Sequence, residues 1–287
     1  MTRDPTGPAL PWDFAVDPSI RLGLELPPLD APACSDSAPV RPGHLRAALD
    51  AAERSGFGAV WVTGGAGEGT GGCDACTLAA GLAPGSRSVT LGVVAPLAGA
   101  RNPSLLARDL TALDVVSAGR AAVLVEGGDC LGEAVAVCRS LFTRGSSDFA
   151  GDCYRLSGAV NRPAPVRATG PPILAQPSRP GGVGALAGTV DACVVAGTVA
   201  NLEEAARSAG IAGSGAASGR PGLLWRGELG VDGAGAVERH ADALHRAGAD
   251  GLIVGAAASG GVVGEGFVAA IERLGALLVP VVDRWHR

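Results

Sequence analysis

Apolar runs of strand length alternate with helix-patterned segments eight times along this chain, and that alternation constrains its fold more than any other feature. The runs are Arg21–Leu26, Ala59–Thr63, Val89–Val94, Ala121–Val125, Pro172–Gln176, Ala192–Ala196, Gly222–Arg226 and Gly251–Gly255. Strands that read as nearly continuous apolar runs are buried on both faces, as in a parallel sheet covered by helices. The helical segments show the matching period. Leu45, Ala48, Leu49 and Ala52 fall on one face of the first, and Val237, Ala241 and Leu244 on one face of the seventh.

Eight βα units in 287 residues fit a single (β/α)8 TIM barrel, with ligands expected at the C-terminal ends of the strands. A doubly wound open sheet is the alternative. Its dinucleotide-binding form needs a glycine-rich turn after the first strand, where this chain has Leu26-Pro27-Pro28. The reading divides the chain into an N-terminal extension, residues 1–20, and a barrel, residues 21–287. Two connections are long, Pro27–Pro42 and Arg144–Pro171, and long insertions at a barrel's catalytic face commonly serve as lids or binding loops.

Net charge is −5, scattered along the sequence, with all 23 basic residues arginine and no basic stripe. Nothing in that distribution recruits nucleic acid or an anionic membrane, so a small-molecule substrate is the expected partner. The N-terminus lacks a signal pattern, and no segment approaches the about 18 uninterrupted apolar residues of a spanning helix. Seven dispersed cysteines do not make a secreted disulfide framework, so reduced thiols in a cytoplasmic protein are expected. Cys73-Asp-Ala-Cys76 lacks a second pair or a histidine to complete a zinc site, and no metal is expected.

One block carries a family resemblance. It opens on Arg101 and Pro103, runs through a helix ending in Leu113, Asp114, Ser117, Gly119 and Arg120, and continues into an apolar strand reaching Gly128. With Glu53, Gly56, Phe57, Val60 and Trp61 upstream, and Phe149, Gly151, Tyr154, Pro163, Pro165, Pro171, Pro172 and Ile173 downstream, it resembles the luciferase-like monooxygenase family over residues 20–280. The resemblance implies a TIM barrel, a flavin (FMN) or deazaflavin (F420) across its mouth, oxidation or monooxygenation of a small organic substrate, and a homodimer.

In such a site the cofactor phosphate is bound by backbone N–H groups at a helix start. Ser178-Arg179-Pro180-Gly181-Gly182 suits it, and Ser178 falls where the family's phosphate-binding serine falls; an ordinary Gly-Pro turn is the competing reading. Gly64, Val94 and Gly128, at the ends of the second, third and fourth strands, complete the candidate cofactor contacts with Gly181 and Gly182. Two departures stand out. Gly64-Gly65 occupies the place of an acidic residue and a histidine common in the family, and Glu126 replaces the first glycine of a Gly-x-Gly that makes room for the cofactor. Obstruction or a plain polar contact is the favoured reading of Glu126, ahead of catalysis.

The candidate catalytic residues are therefore Glu126, Glu25 and Arg226, the last two placed to point into the barrel top, where an ion pair closing the core is an equal reading. His44 is expected on the active face, and His240, His245 and His286 on the surface. Two other function classes remain open: a non-catalytic relative serving as a binding or partner subunit, and a barrel lyase or isomerase with a phosphate site after strands seven and eight.

Overall fold

A computed structural model describes residues 17–28, 40–64, 73–97, 102–210, 222–230, 233–257 and 265–286. Arg101, most of the glycine loop after Gly64 and most of the connection after Pro28 lie outside them. Eight parallel strands close into a barrel: β1 (Leu22–Leu26), β2 (Ala59–Thr63), β3 (Thr90–Pro96), β4 (Ala121–Gly127), β7 (Ile173–Pro177), β8 (Ala192–Ala196), β9 (Gly222–Gly230) and β10 (Gly251–Ala257). Around it lie α1 (Pro42–Arg54), α2 (Ala75–Leu82), α3 (Pro103–Val116), α4 (Leu131–Arg144), α5 (Val183–Leu186), α6 (Val199–Ser208), α7 (Ala234–Arg246) and α8 (Glu265–Arg284). The fold is the expected (β/α)8 TIM barrel. β2 and β8 coincide with their predicted runs, whereas β9 and β10 continue past them.

Period-two alternation divides the strand residues between two cores. Leu22, Leu24, Val60, Val62, Val123, Val125, Ile173, Leu223, Trp225, Leu252 and Val254 face outward under the helices. Trp61, Val94, Ala122, Leu124, Leu174, Val194, Leu224 and Ile253 fill the barrel. Trp61 is the largest fully buried side chain. It fits because the strands on either side carry glycine at its level: an added Cβ at Gly23 would lie 2.4 Å from Trp61 Nε1, and one at Gly92 would lie 2.2 Å from Trp61 Cε3.

The motif residues after α3 tie down the N-terminal face of the barrel. Arg120 Nε donates to Ser117 O (2.8 Å) and Nη1 to Val89 O (3.0 Å), closing the turn below β3 and β4. Buried Asp114 accepts from Val166 N (2.8 Å), fixing the connection before β7. Glu53 does the same for the connection before β3, accepting from Arg87 N and Ser88 N.

The long connection after α4 contains an antiparallel hairpin, β5 (Ser146–Ala150) and β6 (Arg155–Val160). It runs back along α4 and brings its tip to that helix's first turn, where Glu133 accepts from Asp152 N (2.8 Å), Cys153 N (3.0 Å) and Tyr154 N (3.0 Å). Cys130 and Cys153 are joined by a disulfide, which corrects the expectation of uniformly reduced thiols. Sequence spacing cannot show this pairing, because the hairpin must fold back before the two sulfurs meet. Among the described residues, no helix is long and apolar enough to cross a membrane.

Two measurements test this packing. Gly92→Ala is expected to lower unfolding free energy by about 2–3 kcal/mol in urea titration, because the new methyl group overpacks rigid Trp61; an unchanged midpoint would contradict that account. Burial pushes the Cys138 and Cys193 thiols up from 9.0 to about 12. The unfolded chain therefore releases these protons first, and stability should fall as pH rises above 9, by about 1.4 kcal/mol per pH unit for each thiol. Cys193→Ala should shallow that slope.

Candidate functional site

The alternation that fills the barrel with apolar side chains puts polar ones at its C-terminal mouth. Glu25, Thr63, Glu126, Gln176 and Arg226 each follow, two residues on, an inward-facing Gly23, Trp61, Leu124, Leu174 or Leu224. They form one network. Arg226 Nε donates to Glu25 Oε2 (2.7 Å), Nη2 to Glu25 Oε1 (2.5 Å), and Nη1 to Glu126 Oε1 and to Gln176 Oε1 (3.2 Å). Thr63 Oγ1 donates to Glu25 Oε1 (2.9 Å), and Gln176 Nε2 donates to Glu126 Oε1 (3.1 Å).

Residues from five strands thus join one network around a single guanidinium. Burial pulls the Arg226 pKa down, but its hydrogen bonds to Glu25 and the charges of Glu25 and Glu126 outweigh that and raise it. Arg226 stays charged at every accessible pH. Two carboxylates against one guanidinium leave the layer with one net negative charge.

Beside this layer a cavity of about 200 Å³ opens between β4, β7 and β8, lined by Glu126, Gly127, Gln176, Ser178, Pro180 and Asn201 among others. Ser178 is exposed, and its N–H donates to Gly127 O (3.0 Å), which holds the ends of β4 and β7 together. Gly128 faces it: a Cβ there would stand 3.6 Å from Ser178 Oγ. Gly181 and Gly182 form a single 3-10 turn with Pro180. The Gly182 amide is committed to Arg179 O (2.9 Å), and its missing side chain allows packing on Pro177.

The remaining candidates have different surroundings. The space a side chain would need at Gly64 is taken by the backbone opening α2, with Cys73 O 3.1 Å from a built Cβ. Val94 is fully buried in the barrel floor. His44 lies at the active face as a helix cap, its Nδ1 accepting from Arg41 N (3.2 Å). His240 and His286 are exposed, but His245 is half-buried and stacks on Trp285 at 4.6 Å, which corrects its surface reading. Asp74 caps α2 between Cys73 and Cys76, accepting from Thr77 N (2.8 Å). Among the described residues no group of three metal-capable side chains forms. Thr63, Gln176 and Asn201 escaped the sequence reading, although the parity of the first two with Trp61 and Leu174 was there to be used.

Known proteins match this architecture. A family model described as luciferase-like monooxygenase matches residues 28–129. Among solved structures, the coenzyme F420-dependent tetrahydromethanopterin reductase from Methanopyrus kandleri superposes with a TM-score of 0.68 at 14% identity, over 91% of this chain and 99% of its own. The monooxygenase RslO1 from Streptomyces bottropensis gives 0.65 at 15% identity, over 91% and 99%. An F420-dependent secondary alcohol dehydrogenase, solved with an F420-acetone adduct, gives 0.64 at 16%, over 92% and 99%. No curated protein is similar in sequence. The chain resembles the luciferase-like monooxygenase family in sequence over residues 28–129, from just after β1 to just past β4, and it shares its fold with these solved structures over about nine-tenths of its length.

Arg226→Met would leave two half-buried carboxylates without their counter-charge. The expected cost at neutral pH is about 2–3 kcal/mol, between that of an exposed and a fully buried pair. Urea titration of both proteins at neutral pH checks the size, and an unchanged midpoint would contradict it.

Proposed function

We propose that this chain is a luciferase-like oxidoreductase or monooxygenase that seats F420 or FMN at the C-terminal mouth of its barrel and acts on a small organic substrate. The observation that carries the reading is the cavity whose wall joins Glu126 and Gln176 of the polar layer with Gly127 and Ser178. Whole cofactors occupy pockets of roughly 300–1,000 Å³, so this cavity fits the phosphate-bearing end. There Ser178 supplies a hydroxyl donor and exposed Arg179 supplies charge. The ring belongs above the polar layer, where Arg226 and Gln176 offer donors and Glu126 offers an acceptor.

Such a cofactor supplies hydride transfer or oxygen activation, and the protein's part is to orient it and keep the site dry. The resemblance also suggests a homodimer; exposed Leu105, Val115 and Val116 on α3, with Val166 beside it, supply apolar surface for one. Light scattering on the purified chain measures that state.

One observation favours a second reading, a barrel that has lost cofactor chemistry and serves as a binding subunit. Glu126 stands where the family resemblance implies glycine, and Arg226 and Gln176 hold it in the ring's place. A visible spectrum followed by titration with FMN, reduced FMN and F420 decides between them. The oxidoreductase reading expects saturable binding to one of these, weakened about tenfold or more in Ser178→Ala through loss of a charge-assisted hydrogen bond. Absence of binding, restored by Glu126→Gly, would establish the second reading.

A further inference from the structure

The disulfide lies three residues along the chain from the wall of the candidate cofactor cleft. Cys130 is the N-cap of α4, three residues beyond Gly127 at the cavity wall, and Cys153 is exposed at the tip of the β5–β6 hairpin. Their Cα atoms are 5.7 Å apart. Glu133 already holds the same tip through three backbone hydrogen bonds, so the covalent bond is not what places it. What the bond adds is rigidity. It ties the loop Gly127-Gly128-Asp129 to a segment anchored along the whole of α4.

We propose that Cys130–Cys153 is a redox-addressable staple, opened by a dithiol reductant, whose opening loosens the β4–α4 edge of the cleft without unfolding the barrel. The chemistry follows from the surroundings. An incoming thiolate reaches the exposed Cys153 sulfur, the S–S bond breaks, and Cys130 leaves as a thiolate at the start of a 14-residue helix, whose field favours negative charge. Glu133 in the first turn, together with Asp129 and Asp152 beside the bond, opposes that charge, so the staple opens only to a committed two-thiol donor. The donor's second thiol then attacks the mixed disulfide and frees Cys153. Two electrons and two protons pass to the protein, and the donor ends as its own disulfide.

The remaining described thiols are poorly placed to shuffle into the bond. Cys76, Cys138 and Cys193 are buried, and burial pushes the last two up to about 12. Cys73 is exposed but sits at the start of α2, away from the hairpin.

The test is hydrogen exchange of the full chain, oxidised and after dithiothreitol, with thiol counting to verify the bond. Peptides covering residues 127–133 and 150–155 should exchange about tenfold faster on reduction while the barrel strands stay protected, because local opening leaves the global core intact. Oxidised dithiothreitol should reverse the change. Cys153→Ser should show the fast pattern under both conditions, and Cys73→Ser should respond as the parent does. Unchanged exchange, exchange gained throughout the barrel, or the absence of a reducible bond would each overturn the proposal.

The ligand readout alone rests on the function proposed above: FMN or F420 should bind several-fold more weakly to the reduced protein. If neither binds in either state while the local exchange still responds, the staple stands and the cofactor reading fails.

Discussion

A single guanidinium joins the strand ends of this barrel. Arg226 reaches across the mouth to carboxylates on β1 and β4, with Thr63 and Gln176 filling in hydrogen bonds, so that half-buried charge is paired and supplied with hydrogen-bond partners. Desolvating three charged groups is costly, and it is offset only when geometry and hydrogen bonds are good. The apolar layer beneath, from Trp61 to Ile253, excludes water from one side and leaves the network open to the other. Whatever enters the mouth therefore meets fixed donors and acceptors.

The residues that signal kinship are mostly scaffold. Asp114, Ser117 and Arg120 pin turns at the N-terminal face, and Glu53 holds the chain entering β3. They constrain how βα units join, which is why a resemblance built on them reports the barrel so well. The mouth, where chemistry would occur, is where this chain departs from the pattern, with Glu126 in place of glycine and Gly64 packed against α2.

The fold was legible because its determinants are local and repeated. Eight apolar runs, their helical partners, and helix starts such as Asn102-Pro103 are each written within a few residues. The site was legible only in part. Glu25, Arg226 and Glu126 stood out as charges near strand ends, but Thr63 and Gln176 looked like ordinary ends of strands. Their membership follows from side-chain parity and strand neighbours, and neighbours are set by closure of the barrel.

The sequence by itself determined the eight barrel strands to within a few residues, their order with the helices, and that Glu25, Glu126 and Arg226 stand near strand ends, because period and propensity act over short stretches of chain. Tertiary structure alone decided that Arg226 would meet Glu25 from 201 residues away and Glu126 from 100, and that Cys153 would reach Cys130. Such pairings depend on barrel closure and on a hairpin folding back along α4. Each brings together groups whose attraction, electrostatic or covalent, takes effect only once the chain between them has been arranged by hydrophobic packing.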